Sequence, residues 1–345
     1  MPASRIALDV MGGDHAPQAL LQGAVRACEA GFPAERLVLV GDQELIAAGL
    51  AELGGNPGCA VQHASEVICM EEKPAVALRA KRDSSVSVAT GLVKAGSAGA
   101  LVSMGNTGAA VGSATLGLGL LPGVRRPGIA VTMELTDHPV TLLDMGANVV
   151  PKPEHLLQYG IMGAVYSRDC LGLESPRVGL LNIGEESSKG TDLSRGAFGL
   201  LESSPTLDFV GNLEAGDLFC DRAEVVVTDG FTGNVVLKLL EGLSGFLLGK
   251  VAEQIDAHLE EDGERWTGEV LSAVRHSVDY SEYGGALLLG VNGVCVIGHG
   301  RSDAKAVANA LTLAARALDA DVNGDIVRGL NSGVTATPDD GVPRD

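Results

Sequence analysis

The sequence predicts an α/β fold: a Rossmann-like α/β/α sandwich built on a largely parallel sheet. Three observations lead there. Apolar runs of strand length alternate with segments of helical spacing, the pattern of strands joined by crossover helices. Glycine is abundant, 47 of 345 residues, without a collagen-like period, which suits many tight strand-to-helix turns. The chain is 46% hydrophobic but only 3% aromatic, so a sizeable core can be filled by Val, Leu, Ile and Ala.

In chain order, residues 5–10 read as a buried strand. Gly12 and Gly13 break it, and Asp14 is placed to cap a helix that Pro17 starts. Residues 37–40 form the second strand, followed by a helix over 43–53, and residues 60–63 the third strand. Helices follow over 75–81 and 86–95. Residues 100–103 read as a strand entering Gly105-Asn106-Thr107-Gly108, which opens a helix-like run. Strands are expected at 129–133 and 140–143, and a helix over 154–170 begins at Pro153. Strands at 178–182 and 224–228, a helix over 234–260 and a late helix over 303–319 complete the pattern. No repeat and no linker composition appears. Residues 1–330 read as a single domain with a helical segment near 234–280, and the polar, turn-rich tail 331–345 as disordered.

The formal net charge is −19, which argues against a nucleic-acid partner and suits a soluble cytoplasmic protein. The six cysteines are scattered without a CxxC pair, as expected of buried, reduced thiols. No apolar signal segment follows Met1. Residues 95–124 carry no charge and are long enough to span a bilayer, but glycines and polar residues break them. A strand, loop and helix in a soluble core is the better reading. No zinc-ligand spacing, Walker A loop, GxGxxG or GxSxG elbow is present, so no metal and no cofactor is expected.

Five loops follow predicted strands: Met11–Pro17, Met104–Ala109, Asp144–Asn148, Gly184–Thr191 and Asp229–Asn234. In open α/β sheets ligands bind beyond the carboxyl ends of strands, so the five suggest one shared cleft. Gly12, Gly13, Asp14, Gly105, Asn106, Thr107 and Gly108 are candidates for holding phosphate on backbone N–H groups, with an ordinary helix cap as the other reading of the GNTG run. Asn148, Thr232, Gly233 and Asn234 join them as substrate-binding candidates. Lys189 can present an ammonium to phosphate or a carbonyl oxygen, and Asp229 can orient a nucleophile; a solvated loop is the alternative for both. His15 and His299 sit at strand ends as candidate titrating groups or oxyanion donors. Arg79, Lys81 and Arg82, with Arg125 and Arg126, are basic clusters in an acidic chain, candidates for docking an acidic partner. Leu240, Leu243, Leu247, Val251, Ile255 and Leu259 repeat at helical spacing as a core or dimer-packing stripe, while Phe246 and Leu248 lie off it.

The longer strings resemble one bacterial family, PlsX, the phosphate acyltransferases. ALDVMGGDHAP over Ala7–Pro17 is similar to the family's opening, and LLDMGANVVPK, ending at Lys152, to its central segment with Gln158–Tyr166. Ser175–Gly184, Lys189-Gly190, VVTDGFTGNVVL over Val226–Leu237, Tyr283–Leu289 and His299-Gly300 follow in order. Met104 departs from the pattern, since a small residue commonly precedes the GNTG run. The resemblance implies a fold similar to the isocitrate and isopropylmalate dehydrogenases and to phosphotransacetylase. It implies a homodimer that converts acyl-acyl carrier protein (acyl-ACP) and inorganic phosphate into acyl phosphate and free ACP. A membrane glycerol-3-phosphate acyltransferase then uses the product in phospholipid (phosphatidic acid) synthesis, and the family touches the membrane peripherally. An apolar tip in residues 240–251 fits weak contact of that kind. The competing readings are a phosphotransacetylase acting on acyl-CoA, an NAD-dependent dehydrogenase of the related fold, and a scaffold for membrane lipid enzymes.

Overall fold

The computed structural model describes residues 4–256 and 283–333. The predicted helical residues 257–280, Leu259, the side chain of Ile255 and the tail from residue 334 lie outside that description.

The apolar runs form strands because both of their faces are covered. Along β1 (Ile6–Asp9), Ile6 and Leu8 enter one hydrophobic core and Ala7 the other. Ten further strands follow: β2 (Leu37–Gly41), β3 (Ala60–His63), β4 (Ala100–Ser103), β5 (Gly128–Met133), β6 (Val140–Leu143), β7 (Arg177–Leu181), β8 (Asp208–Leu213), β9 (Val225–Val227), β10 (Ala286–Leu289) and β11 (Val294–Ile297). They make a single sheet in the order β3-β2-β1-β4-β11-β10-β5-β6-β9-β7-β8. On one face lie α1 (Gln18–Glu29), α2 (Gln43–Glu52), α6 (Pro153–Leu171), α7 (Asp192–Glu202), α9 (Ala304–Asp319) and α10 (Val322–Gly333). On the other lie α3 (Pro74–Ala80), α4 (Ser85–Lys94), α5 (Thr107–Leu118) and the start of α8 (Gly230–Asp256). This is the expected three-layer sandwich. Aliphatic side chains fill it, and Tyr159 and Tyr166 are the aromatic residues among its largest fully buried side chains.

Seven strand pairings are parallel and three are antiparallel. The three antiparallel ones are consecutive: β11–β10, β10–β5 and β5–β6. An odd number of reversals leaves the block β3-β2-β1-β4-β11 running opposite to the block β6-β9-β7-β8. The carboxyl ends of the two blocks therefore face opposite edges of the sheet. This corrects the expectation of one cleft gathering all five loops: within one chain, two loops belong to one edge and three to the other.

Several local readings are also corrected. Pro17 itself occupies the N-cap of α1, with no side-chain cap, so Asp14 does not cap that helix. α8 starts at Gly230, four residues early, because Asp229 caps it. α10 carries helix through Gly333, past the expected start of the tail. Cys59, Cys170 and Cys295 are buried as expected, but Cys69 and Cys220 are exposed. On α8, Leu243, Leu247 and Val251 are exposed rather than packed in the core, whereas Leu248 is buried.

Candidate functional site

At the carboxyl edge of the first block, three loops meet. Asp14 N–H donates to Gly300 O at 2.7 Å, and Gly298 N–H to Ser103 O at 2.9 Å. The glycine turns after β1 and β4 touch directly. A Cβ on Gly12 would lie 2.8 Å from Gly105 N and 2.6 Å from an Asp9 carboxylate oxygen, so no side chain fits there. Gly13 has a φ of +106°, which favours glycine, and lies between Met104 O and Gly300 O.

The donors of the GNTG turn divide sharply. Gly105 N–H is bound to Ser103 Oγ at 3.2 Å, and Ala109 N–H to Asn106 Oδ1 at 3.1 Å. Asn106 Nδ2 donates to Met70 O and Glu72 O at 2.9 and 3.1 Å. Asn106 thus caps α5 and clamps residues 70–72 over it. The N–H groups of Asn106, Thr107 and Gly108 have no acceptor among the described residues, the usual condition of a first helical turn. They offer an anion three backbone donors at the positive end of a 12-residue helix. His299 stands on the adjoining loop. Its Nδ1 accepts the Arg301 N–H at 3.2 Å, which leaves the ring proton on Nε2 as a free donor. His15, Asp14 and Arg301 are exposed around the same loops. Of the basic residues nearby, Lys81 is engaged by Glu72 at 2.6 Å and by Val67 O at 2.7 Å, while Arg79 and Arg82 are exposed.

The opposite edge holds the other candidates. Asp229 Oδ1 accepts the N–H groups of Phe231 and Thr232 at 3.0 and 2.9 Å, and Oδ2 accepts the Thr232 hydroxyl at 2.7 Å. Gly233 lets the first turn of α8 rest on Asp144 O, where a Cβ would collide with that oxygen. Asn234 lies over Gly146. Asn148 Nδ2 donates to Pro127 O and Tyr159 Oη at 2.5 and 2.8 Å. Asp144, fully buried, accepts N–H groups of Ile129, Gly146, Ala147 and Asn148, and burial still holds its carboxyl above the usual range. The Asp229 and Asn148 side chains thus bind loops and helix together. Lys189 is exposed on the β7–α7 loop with no side-chain partner among the described residues. Arg125 and Arg126 lie exposed where β5 begins, on this same edge. Nearby His155 is pushed down by burial and by Arg126.

Arg301, Asp9 and Ser103 belong to the first edge, yet the sequence reading passed over them. The available signal was position, since each ends a strand or follows one directly beside a glycine turn. No hydrogen bond or ion pair joins the two edges among the described residues.

The fold is shared with phosphotransacylases and with dehydrogenase-like enzymes. The EutD phosphotransacetylase of Staphylococcus aureus superposes with a TM-score of 0.61 at 15% identity, covering 92% of this chain and 94% of that one. A 4-hydroxythreonine-4-phosphate dehydrogenase from Klebsiella pneumoniae gives 0.51 at 12% identity, covering 91% and 97%. At such identities the likeness concerns the fold alone. Sequence is more specific. The family described as fatty acid synthesis protein matches residues 4–324. The phosphate acyltransferase of Heliobacterium modesticaldum is 47% identical over 313 residues, 90% of this chain and 92% of the relative. That of Myxococcus xanthus is 46% identical over 329 residues, 94% and 93% respectively. The chain belongs to this family, PlsX, and is an acyltransferase.

Proposed function

We propose that this acyltransferase moves the acyl group of acyl-ACP onto inorganic phosphate, forming the acyl phosphate used in phospholipid synthesis. The match to relatives named phosphate acyltransferase across nine-tenths of the chain carries the reading. The first-edge geometry supports it. Phosphate is a competent nucleophile at neutral pH, so the protein need only hold it in line with a thioester and stabilise the oxyanion. The free N–H groups of Asn106, Thr107 and Gly108 receive the phosphate. One of its oxygens attacks the carbonyl carbon. The His299 Nε2–H is a donor for the oxyanion, and the C–S bond then breaks. The leaving thiol has a pKa near ~8.5, so the thiolate departs without a strong general acid and takes its proton from solvent.

The acidic carrier docks on basic residues, with Arg79 and Arg82 beside the first edge and Arg125 and Arg126 on the other. The enzyme is a cytoplasmic homodimer that touches the membrane weakly, close to the acyltransferase that consumes its product. An exposed stripe on α8 supports these two statements: Phe231, Val235, Leu239, Leu243, Phe246, Leu247 and Val251 all face solvent in the single chain. The stretch Gly230–Val251 is long and apolar enough to cross a bilayer by length and composition, with mean hydropathy 1.3 and little burial.

The test supplies purified protein with acyl-ACP and follows free carrier thiol and acyl phosphate, the latter trapped with hydroxylamine. Thiol release that requires phosphate supports the reading. Turnover of acyl-CoA but not acyl-ACP would replace it with a phosphotransacetylase. Direct attack further requires that Cys69, exposed beside Met70 on the clamped loop, be dispensable. Cys69→Ala should retain turnover within about twofold, whereas a collapse with acyl-enzyme chemistry lost would mean a covalent route.

A further inference from the structure

Asp9, the last residue of β1, is a buried titratable group that the reaction above does not use. Its Oδ2 accepts the Ser103 hydroxyl at 2.7 Å and its Oδ1 the Met11 N–H at 3.3 Å. The Ser85 hydroxyl and the Gly12 N–H face the same carboxylate. One side chain thus joins the turn after β1, the end of β4 and the first residue of α4. No Lys or Arg is paired with it among the described residues.

The hydrogen-bond chain has a direction. Ser103 donates its only proton to Asp9, so its lone pairs face the Gly105 N–H, which donates to them at 3.2 Å. With the Gly105 N–H turned inward, the next three N–H groups are left as the free donors of the GNTG turn. Beneath the turn lies a cavity of about 10 Å³ bounded by Asp9, Gly12, Ser85, Ser103 and Gly105. A space of that size holds at most one water and cannot admit a phosphate. The space beside the carboxylate is thus too small for the anion itself.

We propose that Asp9 is a positioning residue that acts through Ser103 to set the GNTG turn, so that the Asn106, Thr107 and Gly108 N–H groups face the phosphate. This rests on the phosphate-transfer reading. An alternative is that Asp9 only stabilises the fold, and the two differ in what they do to phosphate.

The experiment compares wild type with Asp9→Asn, Ser103→Ala and Ser103→Thr. Two readouts are taken: KM and kcat for each substrate, and the rise in Tm caused by inorganic phosphate alone. Asp9→Asn and Ser103→Ala should raise KM for phosphate by about tenfold or more, with KM for acyl-ACP and kcat within about threefold. The phosphate-induced rise in Tm should shrink in parallel, and Ser103→Thr, which keeps the hydroxyl, should restore both. If Asp9→Asn fails to fold, Ser103→Ala and its rescue decide the matter. Variants with lower Tm but unchanged phosphate KM and unchanged phosphate protection overturn the proposal. So does a wild-type protein whose Tm ignores phosphate. A wild type that phosphate stabilises but that transfers no acyl group refutes the reaction instead, and leaves the positioning role to be judged by Tm.

Discussion

Asp229 accepts from three donors at once, two backbone N–H groups and the Thr232 hydroxyl, whereas the Lys189 ammonium has no acceptor among the described residues. The two residues looked alike in sequence, as charged members of glycine-rich loops, and should behave differently on substitution. Asp229→Ala should cost about 1 kcal/mol of stability through loss of the α8 cap, and Asp229→Ser should recover most of it. Lys189→Ala should leave Tm unchanged and, if the ammonium meets the reacting groups, lower acyl-phosphate formation by about 100-fold. Thermal unfolding and turnover of the three variants check this, and near-normal turnover of Lys189→Ala removes Lys189 from the chemistry. Asp9 gives a pH prediction. Burial holds its pKa above the ordinary aspartate value, so the native state binds that proton more tightly than the unfolded chain does. Its contribution to stability is therefore full below the ordinary value and lost as pH rises through the folded one. Asp9→Asn should remove that part of the slope, which urea midpoints between pH 4 and 8 would reveal as a flatter profile. At this scale the sequence displayed the right residue types in the right loops. It did not display how they are engaged: Asn106 was legible as a cap or an anion ligand, and only its contacts with Met70 and Glu72 show a clamp.

Most buried apolar runs were legible as strands, though β10 and β11, apolar and buried along their whole length, were given no strand range. β1, β2, β4, β5 and β6 are apolar runs covered on both faces, and each falls within a residue or two of its expected place. β8 was missed because it is an edge strand broken by Gly211, with polar residues at Asp208 and Asn212 and only its last two positions buried. On α8 the spacing was visible but its facing was not. A helix apolar on more than one side has no polar face to mark solvent: Leu243, Leu247 and Val251 of the stripe assigned to packing are exposed, while Leu240 packs against the core. Two substitutions separate the uses of that stripe. Leu239→Glu, in its first half, should shift the proposed dimer to monomer in sedimentation. Phe246→Asp, further along, should abolish weak liposome binding while leaving soluble activity and the dimer intact. Glu241 and Glu253 lie on the same helix and engage Lys238 and Lys250, so attraction to anionic lipid should be slight and hydrophobic contact must dominate. Liposome binding unchanged by Phe246→Asp would assign the whole stripe to chain–chain contact.

At the scale of the molecule, alternation of strands and helices specified the three-layer sandwich but not the direction of each strand. Reversal at β10, β5 and β6 combines two pairings of sequence neighbours, β5–β6 and β10–β11, with one, β10–β5, between residues more than 150 positions apart, such as Ala286 with Val131, which no local pattern encodes. Its consequence is that His299 and the GNTG turn lie on one sheet edge while Lys189 and Asp229 lie on the other. β11 and β7 are separated by five strand spacings, about 24 Å at about 4.8 Å each, several times the reach of a lysine side chain. Lys189 can therefore act on phosphate held at the GNTG turn only from a second copy of the chain. That gives a sharp test, because two inactive variants would then complement each other. In a dimer of His299→Ala with Lys189→Ala, one shared site carries both substitutions and the other carries neither. Random mixing after dissociation and reassociation should restore about a quarter of wild-type activity, since half the dimers are mixed and each has one intact site. Each variant taken through the same cycle alone should stay inactive. If both variants are inactive alone and mixing restores nothing, the two edges do not share a site across the dimer. Lys189 then serves some step other than phosphate attack, such as seating the carrier beside Arg125 and Arg126, and its loss should appear in KM for acyl-ACP rather than in KM for phosphate.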